Sequence, residues 1–341
     1  DEEVATTIFS YIQGYAGYGF CEAHSAAFAD TAYKTAYLVR HYPAQFYAAI
    51  LSNQPMGYYP PATIVVEARR RGVAILPVDV NVSGKKFTAE RTGAGWAIRT
   101  SLIRVKGMTE EAADSIVGAR RSRRFTSLQD FCLRTQVNYD IVENLVLCGA
   151  FDELHGNRRQ LAWDLPRVFE QCRKWKEEFG ANISSDGSLN DLLGSCSQVP
   201  LKTAADQIQD FSDVDKFRLE FSVLHMNTGP HFMEFYRPFL RSKRILSTRE
   251  AATMQEGMLV RVAGVVIRPH RPPTRSGRTV VFLSLEDEFG LIDVTIFENV
   301  YQKYGAVIFG QPALIVSGKI QRRGKGVSIV ANAVGALPPL K

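Results

Sequence analysis

The stretch Ser101-Leu-Ile-Arg-Val-Lys-Gly-Met-Thr-Glu-Glu-Ala-Ala-Asp-Ser-Ile-Val117 decides how this chain is read. A short apolar run meets Lys106-Gly107, and Thr109 stands where a helix N-cap belongs. Ala112, Ala113, Ile116 and Val117 then follow at helical spacing. Gly107 permits a tight turn and leaves the amides around it without a side chain over them. Uncapped N–H groups at a helix N-terminus attract anions, and a phosphate answers that description. About forty residues on, the plan recurs. Ile141-Val-Glu-Asn-Leu-Val-Leu-Cys-Gly-Ala-Phe-Asp152 stops a helix at Gly149, and Asn157-Arg158-Arg159 opens the next. Helix, glycine, helix is a common corner, so one copy says little. Two copies with cations at the turns point to a tandem helix-hairpin-helix unit over residues 98–161. Its candidate nucleic-acid contacts are Lys106, Gly107, Thr109, Gly149, Asn157, Arg158 and Arg159. The plain alternative is a small helical bundle whose glycines are only C-caps.

Residues 257–341 follow a different rule. Apolar and polar residues alternate over 259–267, 279–285, 291–297, 312–320 and 327–333, with a short helix at 299–304. Five strands with a helix between the third and fourth is the order of an OB-fold. That barrel holds single strands on its second and third strands and on the loops between strands 1 and 2 and between strands 4 and 5. Both loops are basic here: Arg268, Arg271, Arg275 and Arg278 in one, Arg322, Arg323 and Lys325 in the other. This segment carries 11 Lys/Arg against 5 Asp/Glu, an excess equal to the +6 of the whole chain. Such cations suit backbone tracking, and solubility alone is the competing explanation. Phe282 and Phe297 lie on the relevant strands. Alternation with Val281 and Leu283 lets Phe282 face the core, the commoner outcome, or a nucleic-acid base. Glu286-Asp287-Glu288 precedes Phe289-Gly290 and reads as a hairpin turn.

At 341 residues the chain exceeds one ordinary domain. Five scattered cysteines without a C-x-x-C argue against a disulfide framework or a zinc site, and no metal site is expected. A reducing, cytoplasmic compartment is the default. No apolar run approaches the roughly 18 residues of a membrane span. Opening at Asp1 inside a helix-like pattern, the chain reads as a piece of a longer protein. Residues 1–54 are helical by spacing, broken by Gly14-Tyr-Ala-Gly-Tyr-Gly-Phe20. The second helix is expected from about Ser25, with Phe28, Ala32, Tyr33, Ala36 and Tyr37 as its buried side. His24, just before it, is a helix cap or a cation facing a phosphate. Residues 62–71 form a basic helix whose Arg69, Arg70 and Arg71 read as a solvated end. Short strands follow around 73–80 and 87–98. Between 162 and 256 the pattern is helical, with His225, Thr228-Gly-Pro-His231 and Tyr236-Arg-Pro238 as joints and a polar linker over 180–197.

Tyr18-Gly-Phe-Cys-Glu-Ala-His-Ser-Ala-Ala-Phe28, His41-Tyr-Pro-Ala, Ala68-Arg-Arg-Arg-Gly-Val, Leu76-Pro-Val-Asp-Val-Asn81 and Cys148-Gly-Ala-Phe-Asp152 occur in this order. Together they resemble the C-terminal half of bacterial C-family DNA polymerases, the polymerase III alpha subunit group. Asn53-Gln-Pro-Met-Gly-Tyr-Tyr-Pro-Pro61 resembles the error-prone, damage-tolerant branch. The resemblance implies a multi-domain α+β chain: part of the polymerase fingers over 1–97, the hairpins over 98–161, a helical linker region over 162–256 and the OB-fold over 257–341. It implies a parent DNA-directed DNA polymerase, and DNA as partner: primer–template duplex on the hairpins, single-stranded template on the barrel. His24 and Ser25 are its nucleotide-binding candidates, near the triphosphate of an incoming deoxynucleotide. Cys21, Glu22 and Ala23 depart from the family's usual Asn, Lys and Ser, which implies looser nucleotide binding. Palm carboxylates holding Mg2+ fall outside this chain on that reading, so no catalytic residue is expected here and the fragment alone is expected to be inactive. A sliding-clamp ligand of the form Gln-x-Asp-Leu-Phe-Gly is only partly matched by Leu189-Asn-Asp-Leu-Leu-Gly194. It keeps Asp191 and Leu192 and puts Leu193 in the place of the Phe. The alternative function is a non-catalytic DNA-binding or scaffold module whose barrel recruits protein partners.

Overall fold

The computed structural model describes residues 1–16, 21–57, 59–179, 208–273, 277–324 and 326–339. Four helices come first: α1 (Glu2–Ala16), α2 (Glu22–His41), α3 (Pro43–Ser52) and α4 (Pro61–Arg70). Proline opens both α3 and α4, where its missing N–H costs nothing. A three-stranded sheet follows, with β1 (Ala74–Leu76), β2 (Thr88–Thr92) and β3 (Gly95–Arg99) in the order β1-β3-β2. Ile98 lies opposite Ile75 on the parallel side and Ala89 on the antiparallel side. Then come a 3-10 turn (Leu102–Arg104), α5 (Glu110–Ser122), α6 (Leu128–Arg134), α7 (Tyr139–Leu147) and α8 (Arg158–Phe179). From α3 onward one apolar core runs through these elements, from Ala44 to Met226, so position 97/98 lies inside a single packed body.

The motif Leu76-Pro-Val-Asp-Val-Asn81 acts as a staple in that body. The Asn81 amide both donates to the Phe125 carbonyl (3.0 Å) and accepts from the Phe125 N–H (2.7 Å). Asp79 accepts from the Asn81 N–H at 2.6 Å, closing the turn, and the Val80 N–H reaches Ala150 beside the second hairpin.

The region 162–256 divides between cores. Leu165, Val168 and Cys172 of α8, and Val223 and Leu224 of α9 (Asp213–Leu224), belong to the helical body. Met233, Tyr236 and Leu240 of α10 (Phe232–Ser242) pack with Ala263, and Ala251 of α11 (Thr248–Thr253) enters the barrel core. His225, at φ +51°, ends α9 as expected for a joint. Tyr236-Arg-Pro238 does not break the chain: Pro238 lies within α10.

The barrel consists of β4 (Leu259–His270), β5 (Val280–Glu286), β6 (Leu291–Phe297), α12 (Glu298–Gly310), β7 (Ala313–Arg323) and β8 (Gly326–Ala336). It closes in the order β4-β5-β6-β8-β7, with β6 and β8 parallel and the other pairings antiparallel. Val281, Leu283, Leu285, Ile292, Val294 and Ile296 fill it by strict alternation. A Cβ on Gly318, at the register shift in β7, would lie 2.2 Å from the Val330 carbonyl oxygen, so only glycine fits there. The α+β reading and the five-stranded OB order are borne out. The buried side assigned to α2 is not: none of its residues is buried, and Phe28, Tyr33 and Tyr37 are 64, 74 and 49 % exposed. Helical spacing defines an apolar face, but among the described residues no core receives this one.

Candidate nucleic-acid interface

At the first hairpin Gly107 adopts φ +80°, a conformation costly for any residue with a Cβ. Thr109 caps α5 by accepting from the Ala112 N–H at 3.1 Å. The amides of Gly107 and Thr109 have no acceptor among the described residues. The turn is held from behind: Asn144 of α7 donates to the Lys106 carbonyl (2.9 Å), the Lys106 N–H donates to Val223 (3.2 Å), and Arg104 donates to Leu224 (2.6 Å). Lys106 itself is exposed. Against an anion stand Glu110 and Glu111 in the first turn of α5, and Lys85 offsets this by pairing with Glu110 and Asp114.

The second hairpin is built differently. Gly149 takes φ +84°, and a Cβ there would sit 2.2 Å from an Arg158 nitrogen. Asn157 caps α8 through Gln160 (2.9 Å). Arg158 is 9 % exposed, pairs with Asp152 at 2.7 Å and points at the Leu147 carbonyl, so its guanidinium is spent inside the fold. The segment 208–211 lies over the start of α8. Asn157 donates to Ile208, the Arg159 N–H donates to Asp210 (3.1 Å), and the Arg159 guanidinium stacks on Phe211 (5.5 Å). An internal carboxylate thus stands where a phosphate was expected. Burial works to raise the Asp210 carboxyl, but hydrogen bonds from Lys216 and from the Arg159 and Phe211 amides outweigh it and hold the group below its ordinary value. Of the second hairpin's candidates, Arg158 is therefore corrected to a structural role. Asn157 and Arg159 are engaged by the chain itself.

On the barrel the outward positions of β5 and β6 make an aromatic face. Phe282 points out, 38 % exposed, with the His270 ring stacked on it at 5.7 Å; Phe297 is 48 % exposed on the neighbouring strand. Of the two placements open to Phe282 the outward one holds, because Val281 and Leu283 take the inward positions of β5. One extra residue bulges β4 between Ile267 and His270, and Arg268 takes φ +48° there and lays its guanidinium over Tyr59 at 4.5 Å. Arg271 donates to the Tyr301 hydroxyl (2.6 Å) and lies across the Tyr301 and Phe309 rings of α12. Arg278 is exposed in the same loop. Across the barrel Arg323 is exposed, whereas Arg322 is turned onto the Ala252 and Met254 carbonyls (2.8 Å each) and anchors α11. Arg275, Lys325 and the clamp-like Asp191, Leu192 and Leu193 lie outside the described residues.

Helix α2 begins at Glu22, one turn early, so His24 sits inside its first turn with its ring 4.6 Å from Phe28; His24 and Ser25 are both exposed. Arg69 and Arg70 are not solvated. Arg69 donates to the Asn227 carbonyl (2.6 Å), Arg70 lies 3.6 Å from Glu286 of the barrel, and burial pulls the Arg69 pKa down. The acidic run is a fastener. Asp287, fully buried, accepts from the Phe289 and Gly290 amides, from Thr248 and from Arg237, while Arg237 takes both oxygens of Glu288 (2.6 and 2.7 Å). With these oxygens occupied, the run does not fit a magnesium site. Among the described residues no group of three His, Cys, Asp or Glu side chains gathers to hold a metal. Sequence reading passed over His270 and Tyr59, whose part depends on the bulge, and Arg121 and Arg124, two exposed cations at the end of α5 and just beyond it.

Residues 72–161 match the family model for the helix-hairpin-helix motif, and residues 260–336 match that for the OB-fold nucleic acid binding domain. An error-prone DNA polymerase of Symbiobacterium thermophilum is 48 % identical over 99 % of this chain, and one of Bdellovibrio bacteriovorus is 33 % identical over 97 %. The chain spans 34 % and 31 % of the length of these two relatives. Over nearly its whole length, then, this chain is homologous to the C-terminal third of the error-prone DNA polymerases, and it joins their helix-hairpin-helix and OB-fold domains.

Proposed function

We propose that this chain is the DNA-holding part of an error-prone, translesion DNA polymerase, with the first hairpin on primer–template duplex and the barrel on the single-stranded template. The observation that carries it is the outward Phe282–His270 stack with Phe297 beside it, flanked by Arg268, Arg271 and Arg278. Aromatic faces take bases regardless of sequence, and guanidinium groups track phosphates. Sequence-tolerant holding suits a template strand whose bases are arbitrary or damaged. At the hairpin, Lys106 and the free amides of Gly107 and Thr109 offer a backbone phosphate one cation and two donors. His24 and Ser25 on exposed α2 are proposed to face the incoming nucleotide. Polymerisation itself is assigned to carboxylates and Mg2+ outside this chain. A sliding clamp remains a proposed partner through residues 191–193, and a cytoplasmic setting follows from the proposed role.

The test is binding of a labelled single strand and a labelled primer–template to the Phe282→Ala/Phe297→Ala double variant. Removing the aromatic partner of one stacked base costs about 1–3 kcal/mol, so single-strand affinity should fall at least fivefold, and primer–template affinity, to which the hairpin also contributes, should fall less. Equal affinities of wild type and variant for the single strand would sink the assignment.

A further inference from the structure

A cleft of about 420 Å3 opens where the helical body meets the barrel. Val66, Arg69 and Arg70 of α4 form one wall; Gly229, His231 and Glu234 form the second; Arg249 of α11 and Glu288 and Phe289 of the β5–β6 turn close it. Its volume lies within the roughly 300–1,000 Å3 of ligand sites. The lining carries three arginines and two glutamates, and each acid already accepts a hydrogen bond within the fold. Glu234 accepts from the His231 N–H (2.7 Å), and Glu288 is held at both oxygens by Arg237. The arginines retain unused donors. Nε and one Nη of Arg70 are buried without a hydrogen-bond acceptor, Glu286 being 3.6 Å away. Arg69 places one nitrogen on the Asn227 carbonyl. Arg249 stacks on Phe289 at 4.7 Å and makes no ion pair among the described residues.

Buried guanidinium N–H groups without acceptors are costly, and an oxyanion with several lone pairs removes that cost in bidentate geometry. The ligand is read through its phosphate and not through a base. Phe289 of the lining already carries Arg249 and Arg237 at 4.7 and 5.6 Å, and the His231 ring is taken up by the Met233 N–H. We propose that this cleft binds a phosphate group through Arg69, Arg70 and Arg249. Two sources share that chemistry: a phosphodiester of the strand held by the barrel, and free pyrophosphate. Helix α4 connects the cleft to the barrel's basic loop. Residues next to its start meet Arg268 through Tyr59, and its end meets Glu286 through Arg70. Its ten residues span about 15 Å, so the cleft is a binding point separate from the loop. The strand form of the proposal rests on the DNA-holding role proposed above; the pyrophosphate form does not.

The experiment uses the full chain and two variants, Arg249→Gln and Arg69→Gln/Arg249→Gln, which leave the Arg70–Glu286 pair in place. Single-strand binding is measured across a salt series, and arginine Nε–Hε NMR resonances are followed during titration with pyrophosphate. A strand phosphate predicts that the salt slope falls by about 0.7 for each phosphate no longer neutralised, with affinity down about threefold or more in the double variant. Free pyrophosphate predicts an unchanged slope, with arginine resonances that shift in the wild type and not in the double variant. Slopes unchanged and resonances unmoved in the wild type overturn the proposal. Arg271→Gln, on the barrel loop, is the control. If it weakens the strand while the cleft variants do nothing, the cleft has failed and the DNA-holding role has not.

Discussion

Arg158 shows what a charge in a sequence leaves open. Beside a glycine turn and next to Arg159 it reads as a phosphate ligand, yet its guanidinium lies against Gly149 and grips Asp152. The deciding partner is six residues upstream and is itself partly exposed, so no periodicity announces it. Arg158→Ala is expected to lower the unfolding free energy by about 2 kcal/mol, the scale of hydrogen bonds to a charged group, with DNA affinity of the folded protein unchanged. Urea unfolding and anisotropy of the same sample check both halves. Arg271 is the opposite case: it is itself exposed and rests on the half-buried Tyr301 and the exposed Phe309 of α12, so its charge stays at the surface. Arg322 falls between them, exposed yet committed to two carbonyls. Sequence displays where the cations are; only packing shows which of them are spent.

Among the elements, the strands were the most legible. The third strand was read at its observed limits, and within it Ile292, Val294 and Ile296 lie inside the barrel and Phe297 outside. Alternation along β5 left Phe282 open between core and surface, and the structure turns it outward because Val281 and Leu283 fill the inward positions. Helix ends were legible wherever a cap was local, as with Thr109 and Asn157. At α8 a second acceptor stayed hidden: Asp210 reaches the start of that helix from 51 residues away. Such acids have consequences for stability. Glu250, which accepts from the Ser247 amide and hydroxyl at the start of α11, has its pKa lowered by those bonds, and Asp210 is lowered as well. A depressed folded-state pKa means that the folded chain binds the proton less readily than the unfolded chain. Their contribution is therefore complete above the unfolded values near pH 4 and is lost as pH falls through the lower folded values. The urea midpoint should drop from about pH 5 to pH 3, and Asp210→Asn/Glu250→Gln should flatten that drop. A parallel profile in the double variant would remove these two groups from the account.

At the scale of the molecule, one helical body and one barrel are joined by α10, α11 and the fastener around Asp287. Ordered motifs pointed to the family, but not to the fact that Leu76-Pro-Val-Asp-Val-Asn81 serves as a staple, nor that Arg69 is bound to Asn227 and Arg70 faces Glu286 of the barrel. The staple joins positions 44 residues apart, and Arg69 meets its partner across 158. The exposed apolar residues of α1 and α2 belong to none of the described cores. The central claim is that the barrel's aromatic face and basic loop, together with the first hairpin, hold DNA through its backbone and its bases without reading sequence. The most direct measurement is anisotropy of two labelled single strands of unrelated sequence, and of a primer–template, titrated with this chain from low to high salt. The account predicts near-equal affinities for the two single strands. It also predicts that log Kd rises linearly with log salt on the single strands, with a slope of about 0.7 for each of several neutralised phosphates. A weak, salt-independent association, or none at low salt, would contradict it.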